Sequence, residues 1–179
     1  MRLFTAITLA EPARARLGQV LRELKPRLLK GRLTPVENLH LTLVFIGETR
    51  EGAAAKRALD EVTAPPFLLT LEGLGRFRRS GGDLLWLGGG GEHLESIYDQ
   101  LRLALSRGGF SLEKRPFKAH LTLGRDLAFA PDFSWEDYGR ALPPLTVPVD
   151  KVSLMQSERI EGRLRYTEIH RRPLLAKEV

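Results

Sequence analysis

The sequence predicts an α+β fold made of two similar lobes, and three observations lead to this prediction. Segments with alternating apolar residues, typical of strands, are interspersed with segments whose apolar residues recur every three or four positions, typical of amphipathic helices. The tetrapeptide His-Leu-Thr-Leu occurs twice, at residues 40–43 and 120–123. A strand, an amphipathic helix and a strand with this tetrapeptide occur in the same order in both halves of the chain.

In the first half, the predicted elements are a strand at 2–8, a helix at 11–29, a strand at 39–46 and a helix at 55–62. Pro12 is tolerated in the first turn of the first helix, and Gly31 marks the break after it. Gly47 is expected to end the second strand, and Pro65 follows the second helix. We interpret the apolar start of the chain as a strand and not as a targeting segment, because threonines interrupt it.

In the second half, the predicted elements are strands at 67–77 and 83–88, a helix at 91–107, a strand at 119–125 and a final hairpin of strands at 146–156 and 163–170. The turn of the final hairpin is expected at Glu161 and Gly162. Residues 128–144 contain prolines and no clear period, so we expect a loop with one helical turn. Gly88–Gly91 lacks the ending of a Walker motif and is expected to form a strand-to-helix turn.

Composition limits the classes of function. The 179 residues suit a single domain, and the absence of cysteine excludes disulfides, thiolate metal sites and a thiol nucleophile. The formal net charge of +6 is compatible with a phosphate-bearing partner. No segment approaches the roughly 18 consecutive apolar residues of a membrane helix, so we expect no membrane association.

The repeated tetrapeptide is the main candidate for chemistry. Side chains alternate between the two faces of a strand, so each histidine shares a face with the threonine two positions later. The leucines can then pack in the core while His40, Thr42, His120 and Thr122 point outward. If the lobes are related by a pseudo-twofold axis, these four side chains converge on one cleft.

Such a cleft suits a phosphodiester. One imidazole can act as the base while the other acts as the acid, because imidazole titrates near neutral pH. The hydroxyls of Thr42 and Thr122 and the guanidinium of Arg125 can bind phosphate oxygens. Alternation alone would turn Arg125 away from the histidines, but Gly124 can bend the chain. No carboxylate lies within either tetrapeptide, so we expect no metal and no other cofactor.

The sequence resembles the 2H phosphoesterase superfamily, and within it the LigT-like RNA 2′,3′-cyclic phosphodiesterases, also called 2′-5′ RNA ligases. The resemblance runs along almost the whole chain and includes the segments RLFTAITL, NLHLTLVFIGE, LLWLG, RPFKAHLTLGRD and RYTEIHRRPL. It implies a bilobed α+β fold with mainly antiparallel sheets and flanking helices around a central cleft. Residues 1–179 would then form one domain of two intertwined lobes, each with one tetrapeptide.

The resemblance also implies the roles of the histidines. His40 would be the proton donor and His120 the acceptor that activates water, and the product would be a 2′-phosphate. The implied partner is an RNA with a 2′,3′-cyclic phosphate end, including tRNA fragments, and the reverse reaction would join RNA ends without a nucleotide cofactor. We expect a monomer in the cytoplasm.

Alternatives stay open. One is a 2H enzyme that acts on small cyclic nucleotides or on ADP-ribose cyclic phosphate, and another is an RNA-binding module without catalysis. His93 and His170 are expected at the surface, and Arg76, Arg78 and Arg79 are expected in a solvated turn or on an RNA backbone. A last group of side chains could line a nucleotide pocket or have core roles: Phe4, Phe45, Ser157 and Tyr166.

Overall fold

A computed structural model describes residues 1–176, which contain nine strands and four α-helices. The strands are β1 Arg2–Thr8, β2 Leu28–Leu33, β3 His40–Glu48, β4 Phe67–Phe77, β5 Asp83–Gly90, β6 His120–Phe129, β7 Leu145–Val149, β8 Lys151–Ile160 and β9 Arg163–Pro173. The helices are α1 Ala13–Leu24, α2 Gly52–Leu59, α3 Leu94–Arg107 and α4 Trp135–Ala141, with short 3₁₀ turns at Lys25–Arg27 and Val36–Asn38.

All nine strands belong to one antiparallel sheet, which confirms the α+β prediction. The strand order is β7-β4-β5-β6-β3-β1-β8-β9, and β2 pairs with β6 outside this path. The two strands that carry the tetrapeptides are therefore neighbours at the centre of the sheet. Along this path each is followed outward by three strands, and β2 is an additional strand on the β6 side.

Helices cover one face of this sheet. Buried residues of α1, α2 and α3 share one hydrophobic core with the leucines of both tetrapeptides. Helix α1 follows β1 but contacts β7 of the other half, while α3 follows β5 but contacts β3 and α2. The helices of the two halves thus cross over, and the opposite face, called the open face below, carries the tetrapeptide histidines.

The predicted helix at 11–29 is too long. Helix α1 ends at Leu24, and Leu28 already begins strand β2, which the sequence did not predict. Pro26 lies within the predicted span and has no backbone N–H for an α-helical hydrogen bond, so the chain tightens there into a 3₁₀ turn. Residues 28–33 then pair with β6, where tertiary contacts outweigh local helix preference.

Other boundaries were also wrong, and the second helix, predicted at 55–62, is α2 at Gly52–Leu59. The predicted strand at 146–156 is two strands separated at Asp150, of which β7 pairs with β4 and β8 with β1. Helix α4 occupies part of the predicted loop, because the Ser134 side chain caps it by accepting a hydrogen bond from the Asp137 amide. Strand β3 continues past Gly47 to Glu48, with Gly47 at a φ of 94°.

The final hairpin has the predicted turn. Glu161 and Gly162 have φ angles of 52° and 76°, the left-handed values that a two-residue hairpin turn requires at both positions. The turn connects β8 to β9, whose pairing extends from Lys151 opposite Pro173 to the turn.

Candidate active site

The two tetrapeptides lie side by side. Leu41 of β3 pairs with Leu121 of β6. All four leucines of the tetrapeptides are buried, whereas both histidines and both threonines are half-buried on the open face. The predicted alternation is therefore present, and the fold brings the two His-x-Thr segments together.

Both central strands also contain a β-bulge directly after the threonine. The pairing of β3 with β1 passes from Thr42 to Val44 and skips the second leucine of the tetrapeptide. The pairing of β6 with β5 passes in the same way from Thr122 to Gly124. An extra residue of this kind reverses the alternation of the side chains that follow it.

The bulges bring two further side chains to the open face, Phe45 in β3 and Arg125 in β6. Arg125 thus lies on the face of His120, as predicted from Gly124. A Cβ atom at Gly124 would lie 2.9 Å from a Leu127 methyl and 3.0 Å from the Arg32 carbonyl oxygen, closer than side chains normally approach. The tight bulge in β6 therefore requires a glycine.

Both histidines are oriented by the same backbone contact. Nδ1 of His40 lies 2.7 Å from the carbonyl oxygen of Asn38, and Nδ1 of His120 lies 2.7 Å from that of Lys118. A carbonyl oxygen can only accept, so Nδ1 carries the hydrogen in both rings. Nε2 is consequently the nitrogen that gains or loses a proton in each histidine.

Nε2 of His40 contacts its own threonine. The hydroxyl oxygen of Thr42 lies 2.9 Å from this nitrogen. The hydroxyl donates to Nε2 when His40 is neutral, and it accepts from Nε2–H when His40 is protonated. Thr42 is thus placed to follow the protonation state of His40, and Thr122 occupies the equivalent position two residues after His120.

Two aromatic rings pack against His40. The ring centroid of His40 lies 5.0 Å from that of Phe4 and 4.9 Å from that of Tyr166. Phe4 is only 4% exposed, so it supports the imidazole from below and is not a surface for a nucleotide base. Tyr166 is half-buried, and its ring centroid lies 5.1 Å from that of Phe4, so the three rings pack against one another.

Burial lowers the pKa of His40 from its ordinary value of 6.5. The hydrogen bond to the Asn38 carbonyl raises this pKa, whereas the positive charges of Arg125 and His120 lower it further. The same Arg125 charge acts on Tyr166. Arg125 and both histidines therefore share one electrostatic environment, in which a bound anion would favour protonation of His40.

His120 also has aromatic neighbours, Phe77 and Trp86. The sequence analysis did not identify Trp86 as a site residue. Its ring lies 5.5 Å from the Phe77 ring and 6.2 Å from the Trp86 ring, and Nζ of Lys118 lies 4.6 Å from the Trp86 centroid. The Trp86 Nε1 is buried without a hydrogen-bond partner among residues 1–176. Trp86 is opposite Thr122 in the β5–β6 pairing, which the sequence alone does not reveal.

Asn38 is a second residue that the sequence did not indicate. It is 6% exposed, and its side-chain amide donates to the carbonyl oxygen of Leu164 at 2.9 Å. The residue whose own carbonyl orients His40 is thereby tied to strand β9. Only its position two residues before His40 could have suggested this role.

Three other predicted side chains, His93, His170 and Arg76, have partners of their own outside this cluster. His170 contacts Asp60 at 2.8 Å, and His93 lies beside Glu92 at the start of α3. Arg76, one of the three arginines proposed for a solvated turn or an RNA backbone, forms an ion pair with Asp83 at 2.9 Å.

Of the predicted pocket residues, Phe45 is the most exposed, at 46%, and the Arg2 guanidinium lies 5.2 Å from its ring centroid. Ser157 lies opposite Tyr166 in the β8–β9 pairing. Gly88–Gly90 belong to β5, so the predicted turn before α3 begins only at Gly91.

Within residues 1–176, no three His, Cys, Asp or Glu side chains are grouped as a metal site. In the same residues, no helix is long and apolar enough to cross a membrane.

Comparison with known proteins decides the family. A family model for the 2′-5′ RNA ligase superfamily matches residues 10–161. The chain belongs to the 2′-5′ RNA ligase superfamily. A superfamily protein of Thermotoga maritima, named RNA 2′,3′-cyclic phosphodiesterase, is 33% identical over 165 residues, which cover 88% of this chain and 87% of that protein.

Solved structures agree with this membership of the 2′-5′ RNA ligase superfamily. The apo crystal structure of Escherichia coli LigT matches with a TM-score of 0.78 and 30% identity, and the match covers 98% of both chains. The structure of the same protein with 3′-AMP matches with a TM-score of 0.74 and 29% identity, over 97% of this chain and 96% of that one.

Proposed function

We propose that this protein hydrolyses 2′,3′-cyclic phosphate ends of RNA to 2′-phosphomonoesters. The observation that carries the proposal is the pair of equally oriented imidazoles, each with Nδ1 on a backbone carbonyl and Nε2 free to exchange a proton on the open face. The name of the Thermotoga maritima relative supports the same reaction. Two such groups are what an acid–base reaction at phosphorus needs.

We assign the roles that the family resemblance implies. Nε2 of His120 takes a proton from water, and the water oxygen forms a bond to the cyclic phosphorus. The bond from phosphorus to the 3′ oxygen breaks, and Nε2–H of His40 gives its proton to that oxygen. The products are a free 3′-hydroxyl and a 2′-phosphate, and the same steps with a 5′-hydroxyl in place of water would form a 2′-5′ linkage.

The phosphate would be held by Thr42, Thr122 and Arg125. Hydroxyl and guanidinium donors stabilise the charge that develops on the non-bridging oxygens in the transition state. The position of Arg125 after the bulge, and its effect on the pKa of His40, support a phosphate close to all three groups. Phe45 offers an exposed ring for the terminal base.

We further propose that the substrate is a cleaved RNA such as a tRNA fragment, and that the protein acts as a monomer in the cytoplasm. The net charge of +6 supports an RNA partner, since phosphate contacts by basic side chains dominate such binding.

The test is product analysis on an RNA that ends in a 2′,3′-cyclic phosphate, beside cyclic mononucleotides and ADP-ribose cyclic phosphate. We expect a 2′-phosphate end on the RNA, and resistance of this product to a 3′-specific phosphatase. A 3′-phosphate product would contradict the roles given to the histidines. Turnover of the small molecules alone would favour the alternative 2H activity, and binding without turnover would favour the non-catalytic alternative.

A further inference from the structure

A cavity of about 540 Å³ adjoins the candidate active site. It lies between the end of β2, the residues before β3 and the tip of the β8–β9 hairpin. Arg125 and Tyr166 line it on the side of the active site. Its volume falls within the range of cavities that hold a small ligand.

Five arginines line this cavity, which we call the arginine pocket: Arg32, Arg125, Arg159, Arg163 and Arg165. Arg32 of β2 is directly opposite Arg125 of β6, so both side chains are on the same face of the sheet. Arg159 of β8 is opposite Leu164 of β9. Leu164 is two residues before Tyr166, so both lie on the face of β9 that contacts His40.

The Arg32–Arg125 pairing is unfavourable without an anion. Like charges directly opposite each other destabilise a sheet. None of the five pocket arginines forms an ion pair within the part of the chain that the structure describes, although five other arginines there do. Glu37 is the one carboxylate that lines the pocket. The local charge is therefore left uncompensated at a position next to the catalytic groups.

The pocket also has an apolar part. Leu33, Pro35 and Leu164 line it, and Leu164 is 39% exposed at the hairpin tip. Guanidinium groups beside an apolar surface suit a nucleotide, whose phosphate is an anion and whose base has two apolar faces.

We propose that the arginine pocket binds the nucleotide on the 5′ side of the cyclic end, with Arg32 and Arg159 on its phosphodiester. This inference rests on the proposed function. The cyclic phosphate closes the 3′ end of the RNA, so the chain continues from the active site only in the 5′ direction. Arg125 would contact the reacting phosphate, and Arg32, its neighbour across the sheet, would contact the preceding phosphate. The protein would then prefer cyclic ends on oligonucleotides to cyclic mononucleotides.

Three substrates test this preference: a nucleoside 2′,3′-cyclic phosphate, a dinucleotide with the same cyclic end, and that dinucleotide with an uncharged methylphosphonate linkage. We expect the wild-type kcat/KM to be higher for the normal dinucleotide by about tenfold, the order of one charge-assisted hydrogen bond. The neutral linkage should remove most of this advantage.

Arg32→Gln and Arg159→Gln are the test variants. Each should lower kcat/KM for the normal dinucleotide more than for the mononucleotide or the neutral dinucleotide. For a longer cyclic-ended RNA, the slope of log kcat/KM against log salt should become shallower by about 0.7 per lost phosphate contact. Arg57→Gln is the matched control, because it removes the same charge from the exposed surface of α2 and should change neither ratio.

Equal loss on all three substrates, or a wild-type enzyme indifferent to the upstream phosphate, would overturn the inference while leaving the hydrolytic function intact. A wild-type protein that hydrolyses none of the substrates would instead refute the proposed function.

Discussion

At the scale of single residues, the backbone carbonyl two positions before each histidine decides which ring nitrogen can take part in proton transfer. Asn38 and Lys118 supply these carbonyls at the same distance of 2.7 Å. The two imidazoles therefore have the same orientation and differ in their surroundings. His40 packs against Phe4 and Tyr166, and burial lowers its pKa.

This difference predicts that the alkaline limb of the pH–activity profile depends on the pKa of His40. A general acid must be protonated, so activity falls as pH rises through the pKa of His40. Burial and the charges of Arg125 and His120 place that pKa below 6.5 in the free protein, whereas a bound phosphate raises it. The alkaline limb should therefore lie at lower pH in the profile of kcat/KM than in the profile of kcat. Because the histidines are coupled, each limb belongs to the pair.

NMR titration of His40 checks the same point without turnover. We expect a pKa below 6.5 in the free protein and a higher value with inorganic phosphate. A pKa above 6.5 without phosphate would contradict this account of the His40 environment.

A second prediction at this scale concerns the threonines. Thr42→Val and Thr122→Val keep the side-chain shape but remove one donor to the phosphate. Loss of a hydrogen bond to a charged group should cost roughly 1.5–3 kcal/mol of transition-state stabilisation. Single-turnover rates on cyclic-ended RNA measure the loss, and thermal unfolding serves as the control for fold. Wild-type rates in both variants would show that these hydroxyls do not bind the phosphate.

The residues that could be predicted from the sequence are those that recur. The doubled tetrapeptide indicated both histidines, both threonines and their shared face. Trp86, Asn38 and Arg32 were not indicated, because their positions depend on strand pairings and loop contacts between distant parts of the chain.

At the scale of secondary structure elements, the bulges and the β8–β9 hairpin shape the open face. The bulge in β6 turns Arg125 toward the histidines, and the hairpin places Tyr166 beside His40. Alternation predicts the faces of regular strands, but a register shift depends on the neighbouring strand. Gly124 was the one local signal of such a shift. The sequence contains no local signal for strand β2. Its residues directly follow a helix, and they form a strand because they pair with β6.

The hairpin depends on Glu168, which contacts Lys151, Ser153 and Arg171 at 2.6–2.9 Å. Burial raises the pKa of this carboxyl, but the hydrogen bonds from Lys151 and Ser153 and the nearby positive charges lower it overall. The ionised Glu168 therefore stabilises the folded protein above pH 4.5, and this stabilisation is lost as pH falls through the lowered pKa of Glu168.

Glu168→Gln should accordingly lower the free energy of unfolding by roughly 1.5–3 kcal/mol at pH 7, the value of hydrogen bonds to a charged group. Urea denaturation measures this difference, which should shrink at a pH well below 4.5. Glu158→Gln on the same hairpin is the control, since Glu158 makes only a long contact of 3.4 Å with Thr167. A difference that does not change with pH would show that the Glu168 charge is not responsible.

At the scale of the whole molecule, the sheet consists of two halves that meet at β3 and β6. Thr8 is opposite His40 in one half, and Gly88 is opposite His120 in the other, so the pairing register is repeated across the centre. The repeat in the sequence predicted this arrangement. The crossover of helices α1 and α3 between the halves could not be predicted, because it depends on which distant core surfaces the helices cover.

The paired imidazoles predict catalysis without a metal. Hydrolysis should survive exhaustive chelation and need no ATP, because both proton transfers are assigned to side chains of this chain. Rates before and after treatment with chelator test this expectation. Activity that is lost and then restored by a divalent ion would refute the two-histidine mechanism.

Substitution of the histidines tests the central claim most directly. His40→Ala and His120→Ala should each slow hydrolysis of cyclic-ended RNA by ~10²–10⁴-fold, the usual contribution of one positioned proton-transfer group. The double variant should lose less than the two effects added, because the residues act as a unit. All variants should stay folded, since the core leucines are untouched, and His93→Ala should keep full activity. A folded single-alanine variant at His40 or His120 with near-normal hydrolysis would contradict the mechanism.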